Sequence, residues 1–391
     1  MINISNQLNL NRKIFLAIGL WPYQKSKFAQ FYSICCFSIL ATFIIFQLTT
    51  FVTSKCTIDL VIQILSPTSA FISTLVVYYS FYNNSETVKY LIEQLQRICD
   101  NIKDKNEILI IERYANHAKR YTIMLITVAV YGISCVMGVQ LWPTFCDIIL
   151  SAKVTRPQYW LKMEYFIDEE RYFYVSLLHT NVALIIASLT TIGTGALIIV
   201  YFQYACAMFQ IASYRLEQAI QIYTVQGVIL LNEKMIYKKI VCAIDIHRKA
   251  MMFTDQIIST FQMLLMILLI STVIVLSLNF YCALKAASLG YIKDFFTPSL
   301  IGSACLLFLF LCCFVVQQVT DENEHIFVTA YKIRWYLTSV RIQTLILFLL
   351  QRGNKPYGLY IGKLFPISLQ FFATISNTSV SYCAVMYSVG W

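Results

Sequence analysis

Long apolar stretches alternate with shorter polar segments along this chain. Windows of roughly 20 residues, the length of helix that crosses about 30 Å of hydrocarbon, identify seven such stretches. They cover approximately residues 31–52, 58–82, 121–141, 172–204, 254–283, 296–316 and 364–389. Each is long enough to cross a bilayer as a helix, so the pattern predicts an all-α membrane protein with seven transmembrane helices.

The composition supports a membrane protein and argues against a set of soluble domains. Hydrophobic residues make up 58% of the 391 positions and charged residues only 13%. A surface in water needs roughly a quarter of a chain to be charged. We therefore expect residues 1–391 to form a single transmembrane domain. The first apolar stretch is too long for the core of a signal peptide, so we expect it to be retained.

Basic residues predict the direction of the chain. Of the 30 lysines and arginines, 23 precede the first span or lie in every second connection after it, and 7 lie in the other connections. By the positive-inside rule, this asymmetry predicts a cytoplasmic amino terminus and an extracellular carboxyl terminus. It also explains the net charge of +10 without a nucleic-acid partner. G-protein-coupled receptors have the reverse direction, and this sequence lacks their DRY and NPxxY motifs.

Two connections on the predicted cytoplasmic side are long. Residues 83–120 and 206–253 mix charges with apolar residues at helical spacing, such as Val88 and Leu91. We expect helices that continue below the membrane as a cytoplasmic anchor layer, with 206–253 and 319–363 as extensions of the transmembrane domain. Solvated loops with local helix are the alternative.

The sequence shows no candidate residues for catalysis or for metal binding. The four histidines are far apart, and none belongs to HExxH or lies at ligand spacing from a cysteine. The 13 cysteines show no CxxC spacing and their number is odd, which argues against a zinc module and a disulfide scaffold; whether Cys56 and Cys146 pair stays open. We expect no enzyme, no metal and no cofactor. Gly193 and Gly195, within a span, indicate close helix packing.

His179 is the clear exception to the scarcity of ionisable residues inside the spans. Such residues often mark ion or proton pathways. His179 can be a neutral imidazole that is hydrogen-bonded to a neighbouring helix, or it can contact a ligand. Because the spans carry no buried carboxylate pair for it to work with, a proton-coupled transporter is disfavoured.

The last span carries polar residues on one side. Thr374, Asn377, Ser381 and Ser388 recur at helical spacing, with Val385 at the step between. Such a stripe can join two helices or form one wall of a water-filled pore, and the sequence leaves both open. A pore would need several subunits around an axis, and a ring of valines on that side would close it by dewetting.

At this point the chain resembles the insect odorant receptor family, a divergent family of seven-helix chemoreceptors. The number of spans, their direction and the length agree along the whole chain, and the motifs lie chiefly in the carboxyl-terminal third. The residues that carry the resemblance are Tyr204, Cys206, Arg215, Leu216, Gln318, Tyr331, Trp335, Tyr336, Gln351, Arg352, Pro356, Gly362, Phe371, Ser381 and Tyr382.

The resemblance implies an odorant-gated, non-selective cation channel. The chain would be a ligand-tuned subunit that forms a heterotetramer with odorant receptor coreceptor subunits in the plasma membrane of a sensory neuron dendrite. Its partners would be a small odorant, membrane lipids and permeating cations. Counting from Ser381 and Tyr382 places the family's hydrophobic gate on Val385 and Val389, beside Ser388. A gustatory-type chemoreceptor channel is the nearest alternative, and a metabotropic seven-helix receptor a more distant one.

The resemblance also implies an odorant pocket in the outer half of the second, third, fourth and sixth helices. Small residues and a tryptophan recur there on the third helix, and other candidates are chosen by depth. The pocket candidates are Ser69, Ile72, Cys135, Gly138, Trp142, His179, Val182, Tyr281, Phe296 and Ser299. The segment 336–351 is too short to span and reads as a cytoplasmic helix, so Trp335, Tyr336 and Arg352 are candidates for a subunit interface.

Overall fold

The computed structural model describes most of the chain. The described residues are 8–24, 26–55, 57–150, 163–166, 169–226, 231–290, 292–355, 357–362 and 364–389. Within these ranges, side chains are described except at 59, 141–150, 169–171, 221–226, 231–232 and 292–294.

Helices form nearly all of the described structure. They are α1 (Asn9–Ala17), α2 (Lys27–Leu48), α3 (Thr50–Thr53), α4 (Ile58–Asn83), α5 (Ser85–Asp100), α6 (Lys105–Leu150), α7 (Glu169–Gln226), α8 (Leu231–Ser288), α9 (Ile292–Lys332), a 3₁₀ turn (Trp335–Leu337), α10 (Val340–Gly353) and α11 (Leu369–Ser388). Two short strands, β1 (Tyr360–Ile361) and β2 (Phe365–Pro366), pair antiparallel before α11.

The prediction of an all-α membrane protein is confirmed. Among the described residues, six helices are long and apolar enough to cross a membrane, and they correspond to the first six predicted spans. The seventh predicted span corresponds to α11 and does not meet the same test of apolarity. Its serine, threonine and asparagine residues explain the difference, because each lowers the mean hydropathy of a helix of only 20 residues.

Four helices are much longer than a membrane is thick. α6, α7, α8 and α9 have 46, 58, 58 and 41 residues, whereas about 20 residues cross the hydrocarbon. At one end these helices pack together in a helical layer with α10, which contacts chiefly α9, and the core of this layer includes Leu216, Ile240, Ile326 and Ile346. Because burial of such side chains stabilises each contact, this layer holds the four long helices together at one end.

Polar side chains on α9 join it to three neighbouring helices within or near this layer. Hydrogen bonds between polar side chains in a core favour one arrangement of the helices that carry them. The three contacts are Gln203–Gln318 at 2.7 Å, Tyr114–Glu322 at 2.6 Å and His247–Asn323 at 2.9 Å. They reach α7, α6 and α8 respectively, so α9 is held from three sides.

Two glycines of α7 allow close packing, as their position in the sequence predicts. A Cβ atom on Gly193 would lie 2.9 Å from Ile14 of α1, and one on Gly195 would lie 2.6 Å from the ring of Phe308 on α9. Real Cβ atoms are almost never that close to another atom. α1 therefore packs closely against α7 at Gly193, because glycine has no side chain to keep Ile14 away.

The strand pair sets where the last helix begins. Gly362 has φ = 61° at the turn of the pair, a conformation that glycine adopts without a steric cost. Tyr357, just before the pair, shares a hydrogen bond with Thr254 of α8. Ser368 then caps α11 by accepting a hydrogen bond from the backbone N–H of Phe371 at 3.1 Å. The helix thus starts at Leu369, later than the predicted residue 364.

Candidate functional site

α11 packs against the chain through one side. Phe371, Ile375, Ser379 and Cys383 are buried on that side, and α11 contacts chiefly α8 and, to a lesser extent, α9. These positions repeat every four residues, as expected for the buried stripe of a helix. The opposite half of α11 is therefore left on the surface of the chain.

The polar residues of α11 lie on this exposed half. Asn377, Ser381 and Ser388 are all exposed. The Ser381 hydroxyl donates to the carbonyl of Asn377 and the Ser388 hydroxyl to that of Val385, both at 2.9 Å. Each hydroxyl proton is thus used within the helix, while oxygen lone pairs remain to accept hydrogen bonds from water or to contact a cation. We call Thr374, Asn377, Ser381 and Ser388 the polar edge.

The exposure of these residues argues against one form of the helix-joining interpretation, in which the stripe joins α11 to another helix of the same chain. Joining α11 to another helix of its own chain would bury Asn377 and Ser381, and both are exposed. No described part of the chain covers the polar edge, which therefore faces water, a neighbouring subunit or lipid. The gate candidates are exposed as well, Val385 by 58% and Val389 by 63% of their surface.

A long apolar groove runs beside the polar edge, between α8 and α11. Its volume is about 1080 Å³. The groove is lined by Leu269, Ile270, Val273, Ile274, Ser277 and Leu278 of α8, by Phe365, Pro366 and Ser368, and by Gln370, Phe371, Thr374, Ile375, Thr378, Tyr382, Val385, Met386 and Val389 at or near α11. None of these described lining residues is charged. This groove could not be predicted from the sequence, because its two walls are far apart along the chain.

His179 has partners for both of its ring nitrogens. Nε2 lies 3.1 Å from the hydroxyl oxygen of Thr42, and Nδ1 lies 2.9 Å from that of Tyr165. The rings of Phe43 and Phe46 pack around it at centroid distances of 6.2 and 6.0 Å. His179 is thus the hydrogen-bonded imidazole that the sequence allowed, and a ligand that bonds to it would have to replace Thr42 or Tyr165.

A short segment before α7 docks on the end of α2, a contact that the sequence analysis missed. The backbone N–H of Glu164 donates to the carbonyl of Phe46 at 3.1 Å. Thr49 donates to the Glu164 carbonyl at 3.1 Å, and Thr53 to its carboxylate at 3.2 Å. The sequence signal for this contact is the pair of threonines after α2, Thr49 and Thr53. Together with Tyr165, this segment connects the first and fourth spans.

The structure describes the surroundings of two of the three pocket candidates on the third span. A Cβ atom on Gly138 would meet no atom within 4 Å, so the space beside it is open. Cys135, one turn earlier, is half-buried. The side chains of Trp142 and Cys146 lie outside the described residues, as does Cys56. Gly138 is itself exposed, so this open space lies at the surface of the described residues.

Apart from Tyr281, the remaining pocket candidates lie on three helices, α4, α7 and α9. Ser69 and Val182 are half-buried, whereas Ile72 and Phe296 are exposed; the Ser299 hydroxyl donates to the carbonyl of Phe295 at 2.7 Å. The partners described for His179 come from α2 and the segment 163–166, not from these positions.

Tyr281 lies apart from the other pocket candidates. It is buried in a cluster with Ile62 of α4 and Cys383 of α11. Tyr281 therefore packs directly against the last helix, which the sequence analysis did not foresee.

The interface candidates lie at the far end of the helical layer. Trp335 and Arg352 are half-buried, and Tyr336 is exposed. Near them, Tyr331, Val340 and Phe348 each expose more than 60% of their surface. An apolar patch of this kind on a layer outside the membrane is typical of a protein–protein contact.

Comparisons with known proteins agree with this architecture. Residues 57–380 match the family model described as 7tm Odorant receptor. Curated relatives include the odorant receptor coreceptors of Anopheles gambiae, 24% identical, and Ooceraea biroi, 23% identical. Each match extends over 157 residues, which is 40% of this chain but only 32% of the relative.

Solved structures match over nearly the whole chain. The insect olfactory receptor OR5 from Machilis hrabei in complex with eugenol has a TM-score of 0.80 at 16% identity, covering 98% of both chains. The structure of the same receptor described without eugenol has a TM-score of 0.79 at 16% identity, covering 99% of this chain and 98% of the other. At this identity the likeness establishes the fold.

Proposed function

This chain belongs to the odorant receptor family, and on that premise we propose that it is a subunit of an odorant-gated, non-selective cation channel. The observation that carries the proposal is the placement of the polar edge. An uncharged row of hydroxyl and amide groups lies on the exposed half of α11, while the opposite side is buried in the chain. Repeated around an axis, such a helix supplies the wall of a water-filled path.

In this proposal Val385 and Val389 form the gate. Both are exposed next to the polar edge, so valines from several subunits would meet near the axis. A ring of apolar side chains closes a narrow path because water leaves it. Ser381, Ser388 and Asn377 line the path next to this ring and replace part of the hydration of a passing cation.

The odorant would bind in the outer half of the spans, near the open space beside Gly138. Candidate contacts are those named from the sequence on α4, α6, α7, α8 and α9. Binding opens the channel only through a difference in affinity between the closed and open arrangements. A change from mostly closed to mostly open requires roughly 5 kcal/mol, shared among the sites of the assembly.

The direction of the chain follows from its basic residues. A cytoplasmic amino terminus places the helical layer inside the cell and the carboxyl terminus outside. Trp335, Tyr336 and Arg352 would then contact neighbouring subunits below the membrane. We infer that these neighbours are coreceptor subunits, in a heterotetramer in the plasma membrane of a sensory neuron dendrite.

Currents recorded with and without the coreceptor test this function. Cells that express both subunits should conduct cations in response to some members of a chemically varied odour panel, and cells with this chain alone should not. An odorant-evoked current that needs no coreceptor would favour the gustatory-type alternative. A response that requires G proteins, with no current of the channel itself, would favour a metabotropic receptor.

A further inference from the structure

Gln140 is a buried polar residue near the proposed outer end of the third span. Its surface is only 3% exposed, and neither its amide nitrogen nor its amide oxygen has a hydrogen-bond partner among the described residues. Burial of an amide is costly unless its hydrogen bonds are made, and most buried side-chain polar atoms in proteins are paired. A partner from outside the described chain would satisfy this amide.

The register of α6 and α7 shows which residues lie at the depth of Gln140. The two hydrogen bonds from Arg215 to Glu107 align these antiparallel helices at one end. Gln140 follows Glu107 by 33 residues, and Val182 precedes Arg215 by the same number. Both helices rise by about 1.5 Å per residue, so Gln140 and Val182 lie at similar depths. Val182 is one of the pocket candidates.

A small cavity between the two helices supports this alignment. Its lining includes Thr122 of α6 and Val200 of α7. Each of these residues lies 15 residues from the Arg215–Glu107 pair along its own helix, so the register is kept nearly halfway to Gln140. Thr122 precedes Gln140 by 18 residues, which is about five full turns. Gln140 therefore lies on the side of α6 that faces α7.

A contact between α6 and α9 places a second pocket candidate at the same depth. The Tyr114 hydroxyl donates to the Glu322 carboxylate at 2.6 Å. Gln140 follows Tyr114 by 26 residues, and Phe296 precedes Glu322 by the same number. Gln140 thus lies level with Phe296 as well as with Val182, in the part of the spans where the odorant is proposed to bind.

A second amide lies at this depth on α7. Gln203 of α7 donates to Gln318 of α9 at 2.7 Å. Asn181 lies 22 residues before the first of these two residues, and Phe296 lies 22 residues before the second. At 100° per residue, Asn181 is within about 40° of Gln203 around α7 and thus on the side towards α9. Helices in contact lie about 8–10 Å apart, so one small molecule can reach both amides.

The free groups of the two amides define the chemistry of a ligand. The amide nitrogen of Asn181 donates to the carbonyl of Leu177 at 3.0 Å, but its oxygen is buried without a partner among the described residues. A hydroxyl group accepts one hydrogen bond and donates another. It can therefore pair with the nitrogen of Gln140 and the oxygen of Asn181 at once. An ether oxygen only accepts, and a hydrocarbon does neither.

We propose that Gln140 and Asn181 are the polar contacts of the odorant site, and that the odorants of this chain carry a hydroxyl group. The hydroxyl oxygen accepts from the Gln140 nitrogen, and its proton is donated to the Asn181 oxygen. The apolar remainder of the molecule lies beside Val182 and Phe296. This proposal rests on the function proposed above, which places an odorant in the outer half of the spans.

Matched odorants test these contacts in the complete assembly with the coreceptor. The probes are hexanol, octanol and phenylethanol, each with the isomeric methyl ether and with the hydrocarbon that has a carbon in place of the oxygen. Half-maximal concentrations are measured from the evoked currents. Gln140→Met keeps the length of the side chain and removes the amide, so it should weaken alcohol and ether roughly fivefold and leave the hydrocarbon unchanged.

Asn181→Leu separates the second contact from the first. The ether has no proton to donate, so this variant should weaken the alcohol alone, again roughly fivefold. Gln203→Met is the control, because it removes a buried amide about 33 Å away along α7. It should affect all three classes of probe alike. Surface biotinylation of each variant measures its expression.

Other patterns would overturn the proposal. If Gln140→Met shifts all three classes equally, or none of them, Gln140 is a packing residue or holds only a structural water. If Asn181→Leu weakens alcohol and ether equally, Asn181 does not accept the hydroxyl proton. Responses to other odorants but to none of the alcohols would reject the proposed ligand class.

A binding measurement distinguishes this proposal from the proposed function. Each alcohol is added to the purified, detergent-solubilised assembly, and the melting temperature is recorded. A rise that is lost in Gln140→Met, in an assembly that never conducts, would support the polar contacts and reject the channel function. Odorant-evoked currents that do not depend on Gln140 or Asn181 would reject the contacts and leave the channel function standing.

Discussion

The guanidinium group of Arg215 binds both carboxylate oxygens of Glu107, with nitrogen–oxygen distances of 2.6 and 2.7 Å. This pair joins α6 to α7, and Glu107 is almost completely buried. Arg215→Leu would leave the carboxylate buried without its partner, which typically costs about 3–5 kcal/mol. We expect a clear loss of thermal stability, measured by size-exclusion chromatography of the heated, detergent-solubilised protein.

An exposed ion pair provides the control for this prediction. Asp245 and Lys249 lie 2.7 Å apart on α8, with side chains that are 40% and 49% exposed. Such pairs contribute about 1 kcal/mol or less, so Lys249→Leu should hardly change the melting temperature. Equal losses in the two variants would contradict a special role for the Arg215–Glu107 pair.

Polar substitution at the gate should open the channel without odorant. Val385→Ser or Val389→Ser removes apolar surface from the proposed constriction and favours water within it. A change of about 1 kcal/mol in the closed–open equilibrium would raise basal current roughly fivefold. Val130→Ser, on the third span, is the control. Unchanged basal current in both gate variants, at normal surface expression, would remove these valines from the gate.

A larger side chain at Gly138 should change odorant sensitivity and leave folding intact. An added Cβ there meets no atom within 4 Å, so the Cβ atom of Gly138→Val enters open space. If the open space belongs to the odorant cavity, the added methyl groups change affinity by about 1–3 kcal/mol, and the half-maximal odorant concentration shifts roughly tenfold. An unchanged dose–response curve would place Gly138 outside the cavity.

Trp142→Ala tests the second candidate on the third span. Loss of a large aromatic side chain from the cavity wall should shift the odorant dose–response while the protein still reaches the cell surface. Surface biotinylation provides the control for expression. The same dose–response curve before and after the change would remove Trp142 from the pocket.

Labelling of native cysteines tests which side of the membrane each end of the long helices lies on. Cys242 is exposed on the part of α8 predicted to be cytoplasmic, so a membrane-impermeant maleimide should label it only after permeabilisation. Cys99 on α5 should stay unlabelled in both cases, because burial and then the charge of Asp100 raise the pKa of its thiol to about 12. Labelling of Cys242 on intact cells would reverse the proposed direction, and Cys242→Ser identifies the labelled site.

The membrane spans could be predicted well from the sequence because the lipid around a span requires a long apolar stretch. A helix in hydrocarbon must be apolar over its whole crossing, and six helices of the structure meet this condition. α1 was missed because its nine residues are too few for such a window, and its burial depends on Gly193 of a distant helix. The strand pair before α11 was missed because two residues per strand leave no periodicity to detect.

The candidate site was predictable only where it lies along one helix. The polar edge follows from the spacing of Asn377, Ser381 and Ser388, which needs no knowledge of other helices. The groove and the docking of Glu164 on α2 each join segments that are far apart in the chain. Contacts of this kind depend on how the helices pack. No pattern within a single segment of the sequence indicates which distant segment it will contact.

Access to the polar edge from water tests the central claim most directly. Ser381→Cys places a thiol on the edge, and Val380→Cys places one about 100° away around α11. A positively charged methanethiosulfonate reagent is added outside the cell during odorant-evoked current. We expect rapid, irreversible block of Ser381→Cys, faster with odorant than without, and little effect on Val380→Cys. A Ser381→Cys channel that conducts normally and is never modified would contradict a pore lined by this helix.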